Sequence, residues 1–180
     1  MKKIGFVTSW YGDNIPGGAE MELRGLVTHM HAKGIEVEVL TTCVKEFQRD
    51  WNKNYYAPGL TEVSGIPVRR FKVRKRNRAE FDRVNSKLML GMKVSAKEEQ
   101  IFMREMINSP ELYKYMKDNE EEYSLFIMIP YMFGPVYFGA CTCPHKTVLI
   151  PCFHDEAYLY LDIFKKVFSK VRGIIYNAKP

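Results

Sequence analysis

Short apolar runs recur along this chain, and their alternation with longer amphipathic segments constrains the fold more than any other feature. Apolar runs of about four to eight residues, bounded by turn residues, are typical of strands buried on both faces. Amphipathic segments between such runs favour parallel pairing through βαβ crossovers. The sequence therefore predicts an α/β fold with a mostly parallel sheet of about six strands. The predicted strands are Ile4–Thr8, Ile35–Thr41, Ile66–Val73, Leu125–Ile129, Thr147–Ile150 and Gly173–Tyr176.

Four helical segments and one long loop complete the predicted order of elements. The second helical segment is interrupted near Gly91 and again at Ser109-Pro110, where Ser109 is expected to cap the next helix. Residues 43–60 are predicted to form the long loop, because they are rich in aromatic, Asn and Pro residues. The helical segments are Gly18 to Lys33, 79–119, 133–142 and 156–171.

The positive charge of the chain is concentrated in one segment. The formal net charge is +6, but residues 69–78 hold seven basic residues and no acidic one. Removing these seven from the 27 basic residues leaves 20, against 21 acidic residues. Residues 1–180 are therefore expected to form one near-neutral domain with a single basic segment, and not a globally basic nucleic-acid binder. The sequence ends just after a predicted strand, as is typical of a domain boundary.

The basic segment is compatible with several roles. Residues 72–78 are expected to be exposed, so that Arg74, Lys75, Arg76 and Arg78 form a candidate basic patch. One interpretation is a solvated charged loop. The binding alternatives are an anionic membrane surface, a phosphorylated acceptor or nucleic acid. No nucleic-acid motif accompanies the segment, so a nucleic-acid partner is not expected.

The four cysteines favour neither disulfides nor a metal site. They lack the spacing of a disulfide framework, so they are expected to be reduced and the protein cytoplasmic. Cys141, Cys143 and His145 are followed by Cys152 and His154, a pattern that suggests zinc. However, the strand predicted between the two groups would hold them roughly 20 Å apart. No metal is therefore expected.

Ligands of open parallel sheets bind beyond the carboxyl ends of the strands, and this rule ranks the loops. The loop after the first strand carries Asp13 and Asn14 and ends in Gly17-Gly18 at the start of a helix. Two glycines let a ligand approach the backbone, and the helix N-terminus offers N–H groups to a diphosphate or carboxylate. The alternative interpretation is a tight strand-to-helix turn. The motif is neither Gly-x-Gly-x-x-Gly nor a P-loop, which argues against a standard dinucleotide-dependent oxidoreductase or an NTPase.

Two further loops are expected at the same edge. His154 follows the fifth predicted strand and could act as an acid, a hydrogen-bond donor or an electrostatic stabiliser. Asp155 and Glu156 could orient His154, or could cap the next helix. Tyr131 and Phe133 follow the fourth predicted strand and could stack on a sugar or a base, with core packing as the alternative.

In this order, the motifs resemble the N-terminal domain of the family 4 ("group 1") glycosyltransferases of the GT-B fold. The resemblance covers the whole chain, and no single motif in it is highly specific. The segments that carry it are Lys3-Ile4-Gly5-Phe6-Val7-Thr8, Gly17-Gly18-Ala19-Glu20, Lys33-Gly34, Glu36–Thr42, Gly65–Phe71, Leu149–Glu156 and Arg172–Asn177.

The resemblance implies a three-layer, Rossmann-like domain on the acceptor side of a retaining, metal-independent, hexosyl-type glycosyltransferase that needs no cofactor. It implies that Gly17 and Gly18 approach the diphosphate of a nucleotide-sugar donor. His154 would hydrogen-bond the transferred sugar, and the other loop residues named above would line the acceptor cleft. The acceptor would be a glycan or a lipid-linked molecule, and the basic patch would face an acceptor phosphate or the headgroups at the inner face of a membrane.

The family has a second, C-terminal domain that binds the donor, and this sequence does not contain it. The resemblance therefore implies that the chain alone is inactive or nearly so. The alternative is a non-catalytic Rossmann-like module or subunit that binds a nucleotide, a phosphate ligand or a partner chain.

Overall fold

The computed structural model describes residues 2–176, so the predicted domain boundary at residues 177–180 lies outside the described residues. Within them, the predicted α/β fold is confirmed, with seven strands and six α-helices. The strands are β1 Lys3–Val7, β2 Val37–Thr42, β3 Gly59–Val63, β4 Ile66–Phe71, β5 Tyr123–Met128, β6 Thr147–Leu149 and β7 Gly173–Ile174. The helices are α1 Gly18–Ala32, α2 Arg78–Met89, α3 Ala96–Glu105, α4 Pro110–Asp118, α5 Gly134–Thr142 and α6 Asp162–Phe168.

All seven strands belong to one sheet, in the order β3-β4-β2-β1-β5-β6-β7. Five of the six neighbouring pairs in the described sheet are parallel, so their carboxyl ends meet at one edge. The interior strand β2 is buried at all six positions, because helices cover both faces of the sheet. Burial on both faces explains why apolar residues occupy consecutive positions in the inner strands, as at Phe6-Val7 and Val39-Leu40.

The antiparallel strand β3 was missing from the sequence prediction, which assigned its first two residues to the loop 43–60 and the other three to no element. It forms a hairpin with β4 through Ser64 and Gly65, whose positive φ angles of 49° and 79° suit a two-residue hairpin turn. Four of the five residues of Gly59–Val63 are exposed, so this edge strand carries no apolar pattern. A pattern of buried residues therefore could not reveal it.

Alternate residues of the strands enter two separate cores, which gives the three-layer, Rossmann-like arrangement. On one face, α1 inserts Leu23 and Val27 against Val39 and neighbouring strand residues. On the other face, the remaining helices pack against Leu40 and Met128. Consecutive residues of β2 thus serve opposite layers, as the two-residue period of a strand requires.

The helical segments differ from prediction at their ends. The breaks near Gly91 and at Ser109-Pro110 are confirmed, and Ser109 occupies the N-cap position of α4. Its side chain makes no capping hydrogen bond, however, because the hydroxyl donates to the Lys72 carbonyl at 2.7 Å. The helix predicted at 156–171 is a 3₁₀ turn followed by α6.

Neither Asp155 nor Glu156 caps α6, contrary to one of the two predicted roles. The cap is Glu99 of α3, a buried side chain that accepts hydrogen bonds from the backbone N–H groups of Asp162 and Ile163 at 3.2 and 3.0 Å. A cap from 63 residues upstream has no signature in the local sequence.

Candidate functional site at the carboxyl edge of the sheet

The chain leaves the two central strands β1 and β5 toward opposite faces of the sheet, because α1 and α5 lie in different layers. Such a switch point opens a crevice beyond the carboxyl ends of the strands. The loop that follows β1 is held in place from α1, since the Arg24 guanidinium donates to the carbonyls of Ile15 at 2.8 Å and Gly12 at 3.3 Å. The loop therefore presents Gly17 and Gly18 at this crevice in a fixed conformation.

Gly17 and Gly18 have different local requirements. Gly17 precedes α1 with φ +132°, a conformation that L side chains rarely adopt, and a Cβ there would lie 1.9 Å from Glu20 Oε2. At Gly18 an added Cβ would meet no heavy atom within 4 Å. Gly17 is therefore required by the fold, whereas Gly18 leaves open space at the start of the helix.

A cavity of about 340 Å³ lies on the Gly17 side of the turn. Trp10 forms its inner wall and is held by a hydrogen bond from its indole N–H to Glu20 at 2.7 Å. Phe133 packs edge-on to Trp10 with ring centroids 4.9 Å apart, and Phe47 is 56% exposed at the rim. The lining residues are Trp10, Pro16, Gly17, Glu20, Glu46, Phe47, Gln48 and Phe133.

A second cavity, of about 400 Å³, lies on the Gly18 side. Its walls come from α1, from the loop after β6 and from Tyr176, which follows β7, and they include the exposed His154. Cys152 in this loop has φ +52°, which turns the backbone sharply after the strand. The lining residues are Gly18, Ala19, Glu22, Pro151, Cys152, Phe153, His154 and Tyr176. We call the two cavities and the turn between them the edge site.

The structure thus brings Gly17, Gly18, Phe133 and His154 together, as the sequence predicts. Phe133 is buried in the core and also lines the cavity, so its core packing is confirmed and its stacking on a ligand stays a prediction. The sequence prediction missed Trp10, Glu20 and Phe47. Trp10 could have been found, because it follows the first strand at the ligand-binding edge. Phe47 lies in the loop after β2, for which no ligand role was considered.

Asp155, Glu156 and Tyr131 have structural partners. Asp155 accepts a hydrogen bond from Tyr160 at 2.8 Å, and Glu156 accepts one from Tyr131 at 3.0 Å. Tyr131 is buried among the rings of Phe153 and neighbouring aromatic residues, so core packing describes it. Burial and the hydrogen bond to Glu156 raise the pKa of Tyr131, which therefore stays protonated. Among the described contacts, none joins Asp155 or Glu156 to His154.

Asp13 and Asn14 are exposed in the same loop but line a third cavity, of about 390 Å³. This cavity lies between the loops after β1 and β2 and the end of β4. Asp13 accepts a hydrogen bond from the Ser64 hydroxyl at 2.7 Å, which ties the loop to the β3–β4 hairpin.

The basic segment is partly folded into the domain, so the expectation that residues 72–78 are all exposed is wrong. Val73 is buried, and Arg74 pairs with the buried Glu105 at 3.3 Å. The Arg76 guanidinium lies 4.7 Å from the ring centres of both Trp51 and Phe81. Lys75 remains exposed, as does Arg78, which pairs with Asp82 at 3.2 Å. The candidate patch therefore has two solvent-facing members.

We expect Arg76→Ser to lower the free energy of unfolding by about 2 kcal/mol, because it removes a guanidinium from between two aromatic rings in a partly desolvated site. Lys75→Ser, one residue away and exposed, is the matched control and should change stability by less than about 0.5 kcal/mol. Urea denaturation of both variants measures the difference. Equal effects would show that the aromatic contacts of Arg76 contribute nothing to stability.

The cysteines and histidines of the suggested zinc pattern lie at opposite ends of β6. His145 lies just before the strand and pairs with Glu120 at 2.7 Å, whereas Cys152 and His154 follow it. Residues 2–176 contain no group of three or more His, Cys, Asp or Glu side chains arranged to hold a metal ion. In the same residues, no helix is long and apolar enough to cross a membrane.

Comparisons with protein-family models, with curated proteins and with solved structures find no match in any of the three. The resemblance to the family 4 glycosyltransferases therefore rests on the order of motifs in the sequence, and its consequences for function stay predictions.

Proposed function

We propose that this chain is the acceptor-binding domain of a retaining glycosyltransferase, which transfers a sugar from a nucleotide-sugar donor to a glycan or lipid-linked acceptor. The observation that carries the proposal is the edge site, in which a glycine turn separates an aromatic cavity from a cavity with an exposed histidine. The sequence motifs that resemble the family supply three of its members, Gly17, Gly18 and His154.

The aromatic cavity has the chemistry that a sugar ring requires. A sugar presents weakly positive C–H groups on its faces and hydroxyl groups around its rim. Aromatic rings carry negative charge on their faces and pack well against such C–H groups. Phe47 and Phe133 supply aromatic surface, while Glu20 and Gln48 supply acceptors and donors for hydroxyl groups. This combination favours an uncharged sugar ring of the acceptor in the aromatic cavity.

The donor diphosphate is assigned to Gly18 rather than to Gly17. The Glu20 carboxylate lies against Gly17, where it complements the positive helix end and repels a second anion. Gly18 has no side chain, and the space beyond its Cα is open. Because Met21 makes the first backbone bond of α1, to the Gly17 carbonyl, the helix itself does not use the N–H groups of residues 18–20.

In the proposed reaction, the acceptor hydroxyl oxygen forms a bond to the anomeric carbon as the bond from that carbon to the diphosphate oxygen breaks. The hydroxyl proton passes to the departing nucleoside diphosphate, whose negative charge the helix N-terminus stabilises. His154 lines the same cavity as Gly18 and donates a hydrogen bond to a hydroxyl of the transferred sugar. The nucleotide is bound mainly by the second domain that the family resemblance implies.

We expect Phe47→Ala to weaken glycan binding at least about tenfold while leaving the fold intact, because Phe47 supplies aromatic surface to the cavity and is 56% exposed at its rim. Leu60→Ala is the matched control, since Leu60 is also 56% exposed but lies on the edge strand β3 and does not line the cavity. Binding is measured by two-dimensional amide NMR with a panel of neutral disaccharides. The amide signals of Phe47, Gln48 and Gly17 should shift with saturation.

Two outcomes would contradict the proposal. One is a panel in which no sugar shifts the signals of the edge site. The other is equal affinity in the Phe47 and Leu60 variants, which would place the glycan elsewhere on the surface.

A further inference from the structure

Arg70, near the end of β4, is a buried cation without a counter-ion. Its side chain is 5% exposed. One guanidinium nitrogen, Nη2, donates to the Tyr11 carbonyl at 2.9 Å, whereas the buried Nη1 has no hydrogen-bond partner among the described residues. Buried charges in proteins are normally paired, because an unpaired charge in a low-dielectric environment is strongly unfavourable.

The adjacent Arg69, in contrast, has a carboxylate partner. Arg69 points to the opposite face of the sheet and pairs with Glu38 at 2.7 Å. Burial opposes the charge of Arg69, but Glu38 outweighs it and the pKa of Arg69 is raised. For Arg70, burial is the dominant influence and the pKa is lowered. In residues 2–176 no carboxylate forms an ion pair with Arg70.

Arg70 lines the third cavity, of about 390 Å³, at the carboxyl edge of the sheet. Lys45 lines it too and adds a second positive charge, and Asn14 adds an amide. The ring of Tyr56, a half-buried residue that also lines the cavity, lies 4.1 Å from the guanidinium carbon of Arg70.

The two acidic side chains that line this cavity are already engaged. Asp13 accepts from Ser64 at 2.7 Å, and Glu46 pairs with Arg49 at 3.0 Å. Neither is hydrogen-bonded to Arg70 or Lys45 in the described structure. The cavity therefore holds two cations whose charges its own carboxylates do not directly pair.

We propose that the cavity formed by Arg70, Lys45, Tyr56 and Asn14 binds an anionic group, a phosphate or a carboxylate, of the molecule that accepts the sugar. A planar guanidinium with a free nitrogen suits the paired oxygens of either group. This inference rests on the proposed function for the identity of the molecule, but the anion site itself does not. It predicts that the acceptor is charged and that it extends from the edge site along the loop after β1.

The first experiment uses the unaltered protein, so that its result does not depend on whether a variant folds. Inorganic phosphate and, separately, acetate are titrated while the side-chain Nε–H signal of Arg70 is followed by NMR. We expect saturable shifts of this signal in the millimolar range, with the signal of Arg69 unaffected. The anion that binds more tightly identifies the group as a phosphate or a carboxylate.

Variants then test the assignment. Lys45→Gln should weaken binding of the tighter anion about fivefold, and Arg70→Lys at least about tenfold, because an ammonium cannot reproduce the paired geometry of a guanidinium. Lys97→Gln removes the same charge from an exposed position on α3 and should leave binding unchanged. Thermal unfolding of each variant confirms that it is folded.

The failure of this inference and the failure of the proposed function are distinguishable. If neither anion shifts the Arg70 signal, or if Lys97→Gln weakens binding as much as Lys45→Gln, the anion site is overturned whatever the neutral sugars do. If an anion binds at Arg70 while no neutral sugar binds at the edge site, the anion site stands and the glycosyltransferase proposal fails.

Discussion

Replacing Glu38 with alanine is expected to lower the free energy of unfolding by about 3 kcal/mol, because removal of the buried carboxylate leaves its hydrogen-bond and ion-pair partners unpaired. The Glu38 side chain is 3% exposed and lies within the sheet on β2. It accepts hydrogen bonds from Arg69 at 2.7 Å, from Lys3 at 3.2 Å and from the buried Tyr123 hydroxyl at 2.8 Å. One carboxylate thus links four strands.

The control for this prediction is Glu122→Ala. Glu122 pairs with the same Lys3 at 3.1 Å, but its side chain is 52% exposed. Exposed ion pairs contribute little, so the control should lose less than about 1 kcal/mol. Urea denaturation of both variants provides the comparison. If the two variants were equally stable, burial of the Glu38 network would not be the reason for its contribution.

The same carboxylate gives a pH dependence with a defined sign. Burial raises the pKa of Glu38, but the hydrogen bonds from Tyr123 and Arg69 more than offset this, and the pKa lies below its ordinary value of 4.5. A lowered pKa in the folded state adds stability above the unfolded-state pKa, and this stability is lost as the pH falls through the folded-state pKa. The stability difference between the wild type and Glu38→Gln should therefore shrink as the pH is lowered below 4.5. A constant difference from neutral to acidic pH would contradict this account.

The second large effect is expected at Gly134, the first residue of α5. A Cβ at this position would lie 2.0 Å from the backbone carbonyl oxygen of Ile107. Gly134→Ala should destabilise the protein by about 3 kcal/mol, because the contact is with backbone and no flexible side chain can move aside. It should also weaken glycan binding, since the displaced helix start carries Phe133 out of the aromatic cavity.

Gly25→Ala provides the control for Gly134. An added Cβ at Gly25 meets nothing within 4 Å, and alanine is the better helix former, so this variant should gain up to about 1 kcal/mol. Thermal unfolding ranks the two variants. A neutral effect of Gly134→Ala would mean that the contact between α5 and Ile107 relaxes freely.

The sheet was predictable from the sequence because central strands buried on both faces leave continuous apolar runs. The edge strand Gly59–Val63 was not, because its exposed residues carry no such run. In the edge site, Gly17, Gly18 and His154 could be predicted from their positions after strands. Phe47 could not be predicted, because the position of this loop residue depends on contacts with residues that are distant in the sequence.

The burial and the partners of the charged side chains were the properties least predictable from the sequence. In the sequence, Arg74 and Arg76 look like solvent-facing residues of a basic run. In the structure, Arg74 pairs with Glu105, and Arg76 packs against two aromatic rings. These partners lie up to 31 residues away in the sequence, so no local pattern announces them. Likewise, nothing in the sequence distinguishes Arg69 from Arg70, although one has a carboxylate partner and the other has none.

The adjacency of Arg69 and Arg70 makes the register of β4 a matter of molecular recognition. A slip of one position would still place an arginine on each face, so the ion pair with Glu38 could re-form with the wrong residue. Two apolar residues prevent this slip. Ile66 and Val68 share a face of the strand with Arg70, and a slip of one position would remove them from the core on the α1 side of the sheet. The apolar residues that share a face with Arg70 therefore decide which arginine is neutralised by Glu38 and which one lines the third cavity.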